Sequence, residues 1–177
     1  GYEEISKTKL KEFGLKKELL GHNVFADVIL KLDKNFKVLK KFKFIDFDKK
    51  SAIERLTAPK KLDTLKAEYF KQYPMDGSNK KFFKITHYNS VQLSQSNSKV
   101  KNSPSLLIRD RAANEIILFD IEKEKLVWRS KQGLMKAQHD ARFTAEDTIS
   151  FFDNNPPNSR VREINIDSGL LQWNYDG

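Results

Sequence analysis

The chain has 177 residues, 38% of them hydrophobic and 11% aromatic, enough to bury one core of ordinary domain size. Its 33 Lys and Arg against 24 Asp and Glu leave a formal net charge of +9, but the lysines run along the chain as scattered pairs. The charge therefore reads first as a solvated surface and does not by itself select nucleic acid, an anionic membrane or a small anion. The absence of cysteine excludes a disulfide framework, a thiolate metal site and a thiol nucleophile, and no apolar run approaches the roughly 20 residues of a membrane helix.

In chain order, residues 1–25, with "EEISKTKLKEFGLKKELLG", are amphipathic and highly charged and read as a helical lead-in. The chain opens on Gly1 and stops at "LLQWNYDG", inside what reads as a repeating unit, so a fragment of a longer protein is expected. Residues 26–44 hold "ILKLDKNFKVLKKF", two alternating runs around a polar turn, expected to be the last strands of one blade-like unit. That rhythm fails over residues 45–84. There Ile53, Leu56, Leu62, Leu65 and Tyr69 fall at helical spacing with Pro59 between two short helices, which reads as a helical insertion, with a degenerate blade as the alternative. Two further units follow, 85–131 and 132–177, the second expected to be truncated at its C-terminus. Within the first, "SQSNSKVKNSPS" at 94–105 has loop composition and is expected to be a flexible hairpin connection.

The units repeat. "IILFDIEKEKLVW" from Ile116 and "VREINIDSGLLQW" from Val161 superpose without a gap at a spacing of 45 residues, setting Phe119 on Ile164, Asp120 on Asn165, Leu126 on Leu171 and Trp128 on Trp173. The run from Ile29 fits them with one residue fewer in the turn. Each copy is a hairpin whose turn opens on Asp or Asn. Short strands at this period, four to a unit, imply an all-β fold: a partial β-propeller of about two to three four-stranded blades with a short helical insertion between blades.

Three histidines occur. His87 in "THYNSV" and His139 in "QHDARF" open the first strands of successive blades, and first strands line the central channel of a propeller, so the two converge near its axis. A lone histidine is more often structural than catalytic; two at one phase of adjacent repeats balance that prior. Asn89, two residues after His87, shares its face by the period of two. Arg111, or Arg109 two residues earlier on the same face, suits an oxyanion in the channel, and a surface salt bridge from Arg111 to Asp110 or Glu115 is the bland alternative. His22 has no counterpart in phase and reads as structural or exposed.

The ordered set "H-Y-N-S-V", "R-x-x-N-x-I-x-x-F-D", "L-V-W", "Q-H-D-A-R-F" followed by "I-S-F-F-D-N", and "S-R-V-R-E-I" resembles the bacterial aryl-sulfate sulfotransferase family, well over residues 85–175 and loosely over 26–44. The resemblance implies a six-bladed catalytic propeller that moves a sulfuryl group from an aryl sulfate to a phenol through a sulfohistidine, with no nucleotide donor and no cofactor. Carried across, His139 matches the histidine that becomes sulfated, His87 and Asn89 match the active-site His-x-Asn, and Arg111 matches the sulfate-binding arginine, with Arg109 its neighbour in substrate binding. It implies small-molecule partners, no nucleic acid and a periplasmic or secreted location; it leaves a homo-oligomer open and makes the isolated fragment inactive. The loop at 94–105 and the insertion at 45–84 depart from the family pattern. The alternative function is a non-catalytic propeller that binds or scaffolds; a quinone-cofactor propeller ranks below both, since no stacking site for the ring is evident. As nucleophile, His139 must be unprotonated: Arg111 is expected to lower its pKa, while Asp140 opposes this from the other face of the strand.

Overall fold

The structure is a computed structural model that describes residues 1–14, 23–57, 82–94, 96–154 and 158–176. Its contacts divide it into two compact units, Gly1–Thr86 and His87–Gly177.

The first unit is built on β2 (Asn23–Leu32), whose ten residues serve three partners. β1 (Tyr2–Glu4) pairs antiparallel with Phe25–Asp27, β3 (Val38–Lys43) pairs antiparallel with Val28–Leu32, and β4 (Phe82–Lys84) pairs parallel with Asn23–Phe25. Helix α1 (Lys7–Glu12) starts at Ser6, whose hydroxyl accepts the Lys9 N–H at 3.3 Å, and buries Leu10. The short α2 (Phe44–Phe47) and α3 (Lys49–Thr57) follow β3, with Asp48 Oδ1 accepting from Ser51 N–H at the start of α3. The core gathers Ile5, Leu10, Phe13, Val24, Ala26, Val28, Phe42, Ile45, Ala52 and Ile85.

Two expectations change here. The lead-in is a strand before it is a helix, and the expected insertion is helical up to Thr57 but ends in β4. Three-residue strands such as β1 and β4 are too short to carry a period-two signal; they form because β2 offers them partners. Pro59, Leu62, Leu65 and Tyr69 lie outside the described residues.

The second unit is two consecutive four-stranded antiparallel meanders. One runs β5 (Tyr88–Ser94), β6 (Ser105–Asp110), β7 (Glu115–Asp120), β8 (Lys125–Arg129); the other runs β9 (His139–Ala145), β10 (Thr148–Asp153), β11 (Arg160–Asn165), β12 (Leu171–Asp176). Each sheet follows sequence order from first strand to last. The first strands lie side by side, with Phe143 N–H of β9 donating to Gln92 Oε1 of β5 at 2.7 Å. These are two blades of a β-propeller, and the second holds all four strands. Between the sheets, Leu107, Ile116 and Leu118 pack with Ala141, Ile149, Phe151, Ile164 and Ile166. β6 and β7 are buried along their whole length, which explains their near-continuous apolar runs.

The loop at 94–105 is anchored, not free. Val100 is fully buried in the core between the blades. Asn97, also fully buried, accepts the Lys99 and Val100 N–H groups on Oδ1 and donates to Ser105 Oγ. Ser98 N–H donates to Asp147 Oδ1 at 2.8 Å, and Lys99 pairs with Asp167 at 2.8 Å, so the loop reaches the second blade. Its polar composition hides one apolar anchor and one Asn that supplies the local hydrogen bonds.

The repeated hairpins have one physical basis. Asp33 accepts from the Asn35 and Lys37 N–H groups, Asp120 from those of Glu122 and Lys123, and Asn165 from those of Asp167 and Ser168. Each turn then needs one left-handed residue: Phe36 at φ 62°, Glu124 at 50° and Gly169 at 68°. Only the last is glycine. Phe36 is 83% exposed, so its ring contributes little packing. A left-handed L-residue costs roughly 1–2 kcal/mol, of which glycine's greater unfolded freedom returns roughly 0.5–1. Phe36→Gly is therefore expected to stabilise the protein by about 0.5–1 kcal/mol, read as a higher denaturant midpoint at unchanged slope. A lower midpoint would show that the ring contributes more than the strain costs.

Candidate active site

Both inner strands break their alternation at the same end. In β5, Tyr88 pairs with Asp110 and Ser90 with Arg109, which leaves Asn89 as an extra, bulged residue. In β9, His139 pairs with Phe152 and Arg142 with Ser150, so Asp140 and Ala141 together oppose Phe151. Asp140 takes φ 52° there, a left-handed value that Asp tolerates better than most residues. Bulges re-aim side chains, and these two bring Asn89 and His139 together: Asn89 Nδ2 lies 3.4 Å from His139 Nδ1. The amide of Asn89 thus meets the histidine of the next blade.

The His139 ring is half-buried, and its pKa lies below the ordinary 6.5. Burial is the largest cause, followed by the positive charges of Arg109 and then Arg111; Asp140 opposes them weakly. The expected direction holds, but the cause is wider than the single guanidinium of Arg111. Asp140 is exposed and bound to Arg142 at 3.0 Å, which limits its pull on the ring. Arg109 is fully buried in β6, and Arg111 is half-buried just past the strand. Both charges lower the pKa of His139, Arg109 from within the sheet and Arg111 from the turn that follows it.

His87 stands one residue before β5, and its backbone is held by the end of β6 and the residue that follows it. Its N–H donates to Asp110 Oδ1 at 2.9 Å, and its carbonyl accepts the Arg111 N–H at 2.9 Å. The carboxylates offered as salt-bridge partners for Arg111 have other duties: Glu115 binds Arg129 at 2.9 Å, and Asp110 also accepts the Ala112 N–H. His22 lies outside the described residues. Sequence reasoning missed Asp110, Asn114 and Gln138, which hold this arrangement in place. The only available signals were an Asn four residues past Asp110, in a turn that requires φ 54°, and the Gln next to the histidine.

The two propeller blades set an imidazole and an amide together on their inner strands, with the guanidinium charges of Arg109 on β6 and Arg111 in the turn after it acting on the imidazole. The arylsulfotransferase (ASST) family profile matches residues 27–174, a span that contains His87, Asn89, Arg109, Arg111 and His139, and the chain belongs to that family. No curated protein matches it. Among solved structures, one described as "Structure of Dos1 propeller" is similar at 13% sequence identity and a TM-score of 0.47, covering 85% of this chain and 32% of that one. The chain thus spans about a third of the length of that structure.

Proposed function

We propose that the protein transfers a sulfuryl group from an aryl sulfate ester to a phenolic acceptor, with His139 carrying the group between them. The observation that supports this is the setting of His139 in a member of the arylsulfotransferase family: a half-buried imidazole beside Asn89, whose protonation is disfavoured by burial and two guanidinium charges. In the first half-reaction the neutral imidazole attacks sulfur and the bond from sulfur to the aryl oxygen breaks, releasing a phenolate. In the second, the oxygen of a deprotonated phenol attacks the same sulfur, the S–N bond breaks and the imidazole is regenerated. Arg109 and Arg111 offset negative charge on the sulfuryl oxygens and attract the anionic donor. Asn89 occupies Nδ1, which leaves Nε2 for attack; that step uses the Nδ1–H tautomer, with the Asn89 amide turned to offer its oxygen.

The test is transfer from a chromogenic phenyl sulfate to a second phenol by the intact protein. A mixture of the phenyl sulfate and the second phenol in which no sulfate is transferred would overturn the reading in favour of a propeller that only binds. Export to the periplasm or secretion belongs to the same proposal, on the strength of the family resemblance, and is tested by fractionating cells that produce the intact protein.

The pH dependence follows from the sign of the shift. Nucleophilic imidazole increases with pH and saturates above its pKa, so the first half-reaction should lose rate on acidification with a midpoint below pH 6.5. Arg111→Met removes one charge that disfavours imidazolium. The midpoint of the rate profile should then rise toward 6.5, whatever happens to the plateau. An unmoved midpoint would show that Arg111 does not act on the titrating group.

A further inference from the structure

The turn between β6 and β7 holds both segments that lead into the inner strands. Gln138 is fully buried, and its Nε2 donates to the carbonyl oxygens at the two ends of that turn, Glu115 O at 2.8 Å and Asp110 O at 3.3 Å. One residue earlier, the Ala137 N–H donates to Asn114 Oδ1 at 2.6 Å. Ala137 and Asn114 both have left-handed backbones, at φ 44° and 54°, conformations that persist only where neighbouring contacts hold them. The same turn grips the other blade's lead-in, through Asp110 Oδ1 to the His87 N–H and the Arg111 N–H to the His87 carbonyl. The residue that delivers His139 and the residue two before Asn89 are therefore fixed to one short piece of chain, which also carries Arg111.

We propose that Gln138 is a positioning residue for His139, with Asn114 as a second tether, and that the turn Asp110–Glu115 sets the distance between His139 and Asn89. This rests on the reading of His139 as nucleophile. The Gln138 amide has two hydrogens, enough for both carbonyls, and each carbonyl is left buried without this donor when the amide is removed. A segment released at Gln138 can let the ring drift, and displacement on the order of 1 Å at a reacting group costs up to about 100-fold in rate.

The test uses the intact protein labelled with 15N-histidine, with the His139 ring resonances assigned by their loss in His139→Ala. Gln138→Leu and Asn114→Gly are expected to lower kcat for sulfuryl transfer by about 10- to 100-fold, with KM for the aryl sulfate little changed. They are also expected to raise the pH at which the His139 ring titrates, as it leaves its place near the arginines. Asn114→Asp keeps the acceptor oxygen and should restore both readouts. A folded Gln138→Leu protein with unchanged kcat and unchanged ring titration overturns the proposal. If Gln138→Leu does not fold, Asn114→Gly decides alone, because glycine accepts the left-handed turn and only the Oδ1 acceptor is lost. Full activity in His139→Ala would overturn the nucleophile reading, whereas the ring titration in the Gln138 and Asn114 variants would still support or overturn the tether.

Discussion

On the proposed function, replacing His139 by alanine is expected to abolish sulfuryl transfer, with a fall of at least about 10³-fold for loss of a covalent nucleophile. The variant should fold normally, because the imidazole is only half-buried and β9 is held by its pairing to β10 and by the Gln92 contact to Phe143. Donor binding should largely survive, since Arg109 and Arg111 remain. Rapid quenching of the wild-type protein with aryl sulfate and no acceptor should trap a sulfated peptide containing "AQHDAR", acid-labile and base-stable, that is missing from the variant. An adduct on "ITHYNSV" would exchange the roles of His87 and His139. Turnover near the wild-type rate in His139→Ala would remove the covalent mechanism and leave direct transfer between donor and acceptor.

The largest expected effect on stability comes from the adjacent pair in "ISFFDN". Phe151 is 1% exposed and packs in the core between the two blades, while Phe152, its neighbour on β10, is 39% exposed on the opposite face. Phe151→Ala leaves a cavity among Ile149, Ile164 and the β6 and β7 side chains and should cost about 3–5 kcal/mol, a large part of the roughly 5–15 kcal/mol that stabilises a typical domain. Phe152→Ala removes a half-solvated ring and should cost roughly 1 kcal/mol or less. Denaturant unfolding of the two variants side by side checks this. Equal losses would mean that Phe152 is as deeply packed in solution as Phe151, and that the face it occupies is covered.

The same contrast separates local from distant determinants. Alternation along β10 and β11, the apolar runs of β6 and β7 and the Asx-initiated hairpins were legible because each depends on residues within a few positions: a side-chain oxygen reaching N–H groups two to four residues on, or a strand with two sides. The repeat of 45 residues followed from these, and with it the blades; the equal phase read for His87 and His139 is not the one the registers give, since Lys136 N–H donates to Asp153 where His87 N–H donates to Asp110, the last residues of the two second strands.

Tertiary pairing decided the rest. Whether a strand carries a bulge depends on the register its partner imposes, so the bulges at Asn89 and Asp140, and the meeting of Asn89 with His139 across two blades, left no mark in the local pattern. The polar loop at 94–105 is fixed by one buried Val100 and by Asp147, 49 residues away from its partner Ser98. Gln138 likewise finds its carbonyls 23 and 28 residues earlier in the chain. The amino-acid order determined the strands, the turns and the kind of chemistry available. The distances between the candidate site residues were set only when two sheets packed and their registers locked, because a hydrogen bond between remote segments depends on where the whole fold brings them.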